Sequence, residues 1–270
     1  MMRRNRPFLA LAICVALAGC AAEQESYVER AVHVIYNQAV DAMAASDYAQ
    51  AAKLFDEVER QHPYSVWATK AQLMAAFAYY QGNKYDEAVI AVDRFIQLHP
   101  GSRDIAYAYY LKALSYYEQI SDVSRDQLVT EKALRSLQDV VQRFPASKYA
   151  RDAKLKIDLT RDHLAGKEMS IGRWYLRHKD YLAAINRFKR VVADYQTTTH
   201  LPEALHRLVE AYTALGLTGE ASKVAAVLGY NYPGNEWYVD SYELATGKPL
   251  RAEAQPEQRG FFARAWDWAF

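Results

Sequence analysis

The chain has 270 residues, 51% of them apolar, with 33 basic and 32 acidic side chains and a formal net charge of +1. This near-balance excludes the basic excess on which a nucleic-acid binder depends. An apolar half over this length suffices for one extended repeat domain or two small globules.

Arg3, Arg4 and Arg6 precede a short apolar run at 8–18. That order is the n-region and h-region of a secretion signal, and the run is too short to span a bilayer as a helix. It ends in Leu17-Ala18-Gly19-Cys20, which resembles the lipobox of bacterial lipoproteins. Small residues there admit the peptidase, and the Cys20 thiol would carry the lipid. Ala21 stands where Asp tends to mean inner-membrane retention in such lipoproteins, so the resemblance implies outer-membrane sorting. Removing the three arginines leaves 30 basic against 32 acidic residues, a net charge of about −2. The other cysteine, Cys14, lies within the signal, so no disulfide is expected inside one mature chain and the fold must rest on packing.

Five copies of one pattern follow. The series Tyr48, Ala51, Phe55, Val58, Pro63 recurs as Tyr85, Ala88, Val92, Phe95, Pro100, then as Thr130, Ala133, Leu137, Val140, Pro145. A fourth copy is Tyr181, Ala184, Phe188, Val191, with Gln196 for proline, and a fifth is Thr218, Ala221, Ala225, Leu228, Pro233. Alanine, +4 and +7 trace one stripe of a helix, and proline just beyond cannot continue it. Twelve residues before three of the alanines stand Ala39, Ala76 and Gly172; nine before four of them stand Ala42, Tyr79, Tyr175 and Tyr212. Small residues let antiparallel helices approach, and aromatics fill the gap beside them. The pattern resembles the tetratricopeptide repeat, so the fold expected is all-α, a superhelical solenoid of about five helix–turn–helix repeats.

The copies start 37, 45, 51 and 37 residues apart. The 45-residue spacing holds a polar stretch at 120–126, expected to loop out between the helices of repeat three. The 51-residue spacing holds 147–179, without proline, which reads as one very long helix with a bend expected at Gly166. Segment 235–246 reads as a helix closing the open end of the solenoid. The boundaries expected are thus a signal at 1–19, a lipidated tether at 20–28, the solenoid at 29–246, a polar linker at 247–260 and an aromatic tail at 261–270. In the tail Phe262, Trp266 and Phe270 lie four apart, which on a helix makes a stripe suited to a membrane interface or a partner's groove.

Tetratricopeptide solenoids hold peptides or helices on the surface lined by their first helices. Here Tyr79, Tyr80, Tyr107, Tyr109, Tyr110, Tyr116 and Tyr117 fall on the first helices of repeats two and three. Tyrosine gives large apolar area and a hydroxyl at little entropic cost. About half are expected to pack between helices, Tyr79 and Tyr116 foremost; Tyr80, Tyr107, Tyr110 and Tyr117 are the groove candidates. His62 and His99 precede repeat prolines as copies of one helix C-terminal position, not a metal pair. No HExxH, GxSxG, P-loop or dinucleotide glycine pattern occurs, so neither an enzyme, a metal nor a cofactor beyond the lipid on Cys20 is expected.

A lipidated five-repeat chain of this length resembles the BamD family, the repeat lipoproteins of the machine that assembles outer-membrane β-barrels. The resemblance covers the lipobox and nearly all of 27–232. It is carried most specifically by Ala78-Tyr79-Tyr80, by Asp93-Arg94-Phe95-Ile96-Gln97-Leu98 with Pro100, and by Asn186-Arg187. It implies a scaffold held to the outer membrane, facing the periplasm beside the other lipoproteins of that complex. Its C-terminal repeats would bind the barrel subunit BamA, and its N-terminal repeats would receive the C-terminal signal of unfolded barrel proteins. Three residues after the repeat alanines stand Leu54, Ala91, Ser136, Arg187 and Val224, so only repeat four places a charge there. An arginine on the flank of a packed stripe needs an acid. With Arg173, Arg177 and Arg190 in the same basic stretch, the resemblance points to a carboxylate on BamA; an internal pair with Glu168 or Glu203 is the alternative. A different adaptor of the same repeat type, a pilus-assembly pilotin or a cell-wall scaffold, would lack the Asp93-to-Leu98 segment and the long helix of repeat four.

Overall fold

The computed structural model describes residues 29–248. The signal, Cys20, the tether, all but the first two residues of the linker and the tail lie outside the described residues. Eleven α-helices occur among those described: α1 Val32–Ala44, α2 Tyr48–Gln61, α3 Val66–Gln81, α4 Tyr85–Leu98, α5 Ile105–Tyr117, α6 Leu128–Arg143, α7 Lys148–Arg177, α8 Tyr181–Asp194, α9 Leu201–Ala214, α10 Thr218–Asn231 and α11 Glu236–Thr246. They pair in chain order as five antiparallel repeats, with α11 laid across α9 and α10. The first helices also touch one another, α1 to α3, α3 to α5, α5 to α7 and α7 to α9, and so form a continuous inner layer.

The stripe that defines the repeat is its core. Ala51, Ala88, Ala133, Ala184 and Ala221 are all buried, as are the +4 and +7 residues of every copy. The small residue of the facing helix works as its spacing implies. Ala39 and Ala76 are buried, and a Cβ on Gly172 would lie 2.4 Å from the Phe188 ring.

The turns repeat as strictly as the stripe. In four repeats the second residue before the second helix adopts a left-handed backbone, at Ser46, Asn83, Lys179 and Gly216. The next N–H then reaches back to the carbonyl of Ala42, Tyr79, Tyr175 or Tyr212 at 2.9–3.0 Å. This is the six-to-one bond that satisfies the last carbonyls of a helix. Repeat three lacks it because 118–127 loops out between α5 and α6, as expected from the spacing.

Helix α7 runs unbroken for 30 residues, about 45 Å at 1.5 Å per residue. Ser147 caps its first turn, its Oγ accepting from Ala150 N–H at 3.1 Å. Ala153 and Ile157 in its first half join the core of repeat three; Ala165 and Met169 in its second half join that of repeats four and five. It therefore covers one repeat and opens the next. Gly166 lies where His200 and Val123 close on the helix. At the far end Asn235 caps α11, and the buried His206 on α9 meets Ser241 Oγ at 2.9 Å.

His62 and His99 cap α2 and α4 as copies of one position. Each ring also ties the end of its repeat's second helix back to the first-helix side of the same repeat: His62 Nε2 lies 2.7 Å from the Arg30 carbonyl and His99 Nε2 lies 2.8 Å from Gln72 Oε1.

Candidate protein-binding surfaces

The inner layer carries an aromatic wall. On α3, Phe77 and Tyr80 stand three residues apart on one helix face, as do Tyr107 and Tyr110 on α5. Tyr149, in the first turn of α7, joins them across the layer. Phe77 lies 6.5 Å from Tyr107, Tyr107 lies 5.6 Å from Tyr149, and Tyr110 stacks on Tyr149 at 5.1 Å and 28°. The Tyr80 hydroxyl donates to Glu118 at 3.4 Å and the Tyr110 hydroxyl to Asp152 at 2.5 Å. Burial first, and for Tyr80 the facing carboxylate of Glu118 next, pushes the phenols of Tyr80 and Tyr107 up to about 12. Burial and the Asp152 carboxylate push Tyr110 up as well. All three hydroxyls therefore remain protonated; those of Tyr80 and Tyr110 already donate to acids and can still accept from a backbone N–H, and the half-buried rings suit packing with apolar side chains.

Of the four groove candidates, Tyr80, Tyr107 and Tyr110 come together. Tyr117 stands apart, with Lys156 Nζ 4.7 Å above its ring, in a cleft lined also by Ile120, Leu159 and His163. The expected division of the seven tyrosines into core and surface is corrected: all seven, Tyr79 and Tyr116 included, are half-buried. A phenol packs its ring and keeps its hydroxyl on a polar partner. The Tyr79 ring lies against the core of repeat one while its hydroxyl donates to Asp56 at 2.7 Å. Tyr149 escapes a reading confined to repeats two and three; its aromatic type in the first turn of an inner helix is the signal that could have found it.

The second surface lies on repeat four. Glu168 sits sixteen residues before Ala184, a register position held by buried Ile35 in repeat one and buried Leu205 in repeat five. It is itself buried, and two arginines of α8 meet it: Arg187 at 3.1 Å on Oε2 and Arg190 at 3.0 Å on Oε1. Arg187 is half-buried, like the +3 residue of every other repeat. The internal pair weighed from the sequence is therefore formed, with Glu168. Arg173 turns to α9 instead, where its Nη1 donates to both carboxylate oxygens of Glu203 at 3.1 and 2.9 Å. Arg177 is exposed in the last turn of α7, away from the pair.

Arg187 and Arg190 line an open cleft with Tyr175, Ala183 and Asn186. The same register positions in repeat two are Arg94, Ala91, Tyr79, Glu87 and Ile90, and they line a cleft too. There the walls are mixed: Asp56 and Glu59 come in from α2, and Glu59 engages Arg94. In repeat four Glu168 lies beneath both arginines and Asp194 of α8 meets Arg190 at 3.7 Å, while the residues lining the cleft itself include two arginines and no carboxylate. One structural slot thus carries different charge in two repeats.

Comparison with known proteins joins these features to a family. Residues 29–228 match the family model YfiO, described as an outer membrane lipoprotein. The outer membrane protein assembly factor BamD of Caulobacter vibrioides is 50% identical over 264 residues, spanning 95% of this chain and 87% of its own. The factor of the same name from Rickettsia prowazekii is 48% identical, spanning 87% of this chain and 94% of its own. Among solved structures, the TPR domain of P58(IPK) is 15% identical with a TM-score of 0.42, covering 79% of this chain and 55% of that one. On its sequence and its repeats, the chain belongs to the YfiO, or BamD, family of outer membrane lipoproteins.

Proposed function

We propose that this chain is a non-enzymatic scaffold of β-barrel protein assembly, held by lipid on Cys20 at the periplasmic face of the outer membrane. It offers one surface to unfolded barrel proteins and another to the barrel subunit BamA, beside the other lipoproteins of the complex. The assembly-factor names of its relatives support the setting. The observation that carries the substrate reading is the wall of Tyr107, Tyr110 and Tyr149, whose rings pack together across α5 and α7, with Phe77 and Tyr80 of α3 packed on the same core beside them. Arg187 and Arg190, fixed by Glu168, support the BamA reading.

The substrate reading is tested with a photoreactive peptide ending in aromatic residues, copied from a barrel protein's C-terminus. Tyr80→Ala and Tyr110→Ala should each weaken its crosslinking about fivefold or more, since an aromatic anchor at an interface is worth at least about 1 kcal/mol. Far-UV circular dichroism should not change. Undiminished crosslinking removes the wall from the binding site; lost helicity makes these tyrosines structural.

The anchor is tested with Cys20→Ala exported behind a leader that the ordinary signal peptidase cuts. Acyl chains supply most of the membrane affinity of such a protein, so the variant should fold normally and leave the membrane fraction. A variant that stays fully membrane-bound makes the lipid dispensable.

A further inference from the structure

The repeat register exposes an anomaly at one end of the solenoid. After the second helix of each repeat the chain turns into the following helix through equivalent positions. The residue after the repeat proline, or after Gln196 in repeat four, is Tyr64 in the first turn, against Gly101, Ala146, Thr197 and Gly234 in the others. Two positions on stands Val66, against Arg103, Lys148, Thr199 and Glu236. Four turns of the same build therefore need no large apolar group at either place. Yet Tyr64 is 100% exposed and Val66 is 86% exposed, with Trp67 partly exposed beside them. The turn is shaped by Ser65, whose Oγ caps α3 by accepting from Trp67 N–H at 3.2 Å, so Tyr64 and Val66 contribute no bond to it.

This turn lies where the described chain begins. Arg30 N–H donates to Gln61 Oε1 at 2.8 Å, and His62 Nε2 holds the Arg30 carbonyl at 2.7 Å. Residue 29 is thus pinned beside the α2–α3 turn. Nine peptide steps separate Cys20 from Glu29, a reach of about 30 Å at most. An acyl chain on Cys20 would keep this end of the solenoid, rather than its far end, within reach of the bilayer.

We propose that Tyr64, Val66 and Trp67 form a second, non-covalent contact with the lipid surface that holds the acylated Cys20. Tyrosine and tryptophan favour the headgroup level of a bilayer, where the ring is shielded and the polar edge stays wet. Lys70, one turn along α3 from Val66 and exposed, adds a cation suited to anionic headgroups. The lipid holds the protein at the membrane; the turn fixes which end of the solenoid faces it. The inference rests on the anchor at Cys20, and its test separates the two.

The acylated protein is reconstituted into vesicles of phosphatidylethanolamine and phosphatidylglycerol at about 3:1, with an environment-sensitive fluorophore on Tyr64→Cys or on Gln81→Cys. Gln81 is exposed at the other end of α3, about 22 Å away at 1.5 Å per residue. Label at 64 should shift to the blue and lose about half its emission or more to spin-labelled lipid; label at 81 should do neither. A vesicle-bound protein whose label at 64 stays in water overturns the contact and leaves the anchor standing. A blue shift without lipid quenching means that protein covers the turn, and also overturns it. Protein that does not bind the vesicles at all overturns both readings.

Discussion

Arg187→Ala should cost the protein its hold on BamA in co-purification while moving its melting temperature by no more than about 4 °C. Truncating one partner of a desolvated charge pair across an interface costs about 2–5 kcal/mol, so roughly thirtyfold or more in affinity is lost. The fold loses far less. Glu168 keeps Arg190 at 3.0 Å, and the side chain of Arg187 is about one-third exposed. An ion pair so placed contributes about 1 kcal/mol or less, worth about 2–4 °C in a domain of this length. Removing Arg190 as well is a different matter. The Glu168 side chain is 10% exposed, and a buried charge stripped of its partners is destabilising by about 3–5 kcal/mol. The single variant should therefore separate binding from stability, and the double variant should lose both. If Arg187→Ala melts markedly lower and still retains BamA, the residue belongs to the fold of repeat four and its assignment to the partner fails.

Gly172→Ala should destabilise the protein, although alanine is the better helix former by about 1 kcal/mol. The added Cβ would meet three atoms of the fully buried Phe188 ring at 2.4, 2.8 and 2.9 Å. Phe188 is walled in by Met169, Ala184 and Val209, so α7 and α8 must move apart. Overpacking of this kind costs about 1–3 kcal/mol. Phe188→Leu shortens the obstructing side chain, so in urea melts the double variant should lose less than the sum of the two single losses. A Gly172→Ala protein as stable as the parent, or strict additivity in the pair, would show that the α7–α8 approach is looser than the geometry requires.

The repeat was legible in the chain because its cause is local. Alanine, +4 and +7 recur at helical spacing, and all fifteen of those side chains are buried. The loop of repeat three, the long α7 and the closing α11 followed from spacing and from where proline and glycine were missing. The left-handed turns were less visible: Gly216 and Asn83 suit them, whereas Lys179 adopts φ 64° because the two helices flanking it fix the connection.

What the chain alone left open were questions of which distant side chains meet. Periodicity assigns a residue to a face but not to a neighbour. Tyr149 joined the aromatic wall because α7 begins against α5, about forty positions away, and the tyrosines became half-buried because their rings found the core, while the hydroxyls of Tyr79, Tyr80 and Tyr110 found acids. Both Glu168 and Glu203 could have answered Arg187. The packing chose. Gly172 lets α8 close on α7, and Glu168, one turn earlier, falls beneath Arg187 and Arg190; Glu203, on α9, is held by Arg173. Helix and stripe are dictated by neighbours in sequence, but the pairing of charges depends on how closely two helices approach, and that distance is set by the whole repeat.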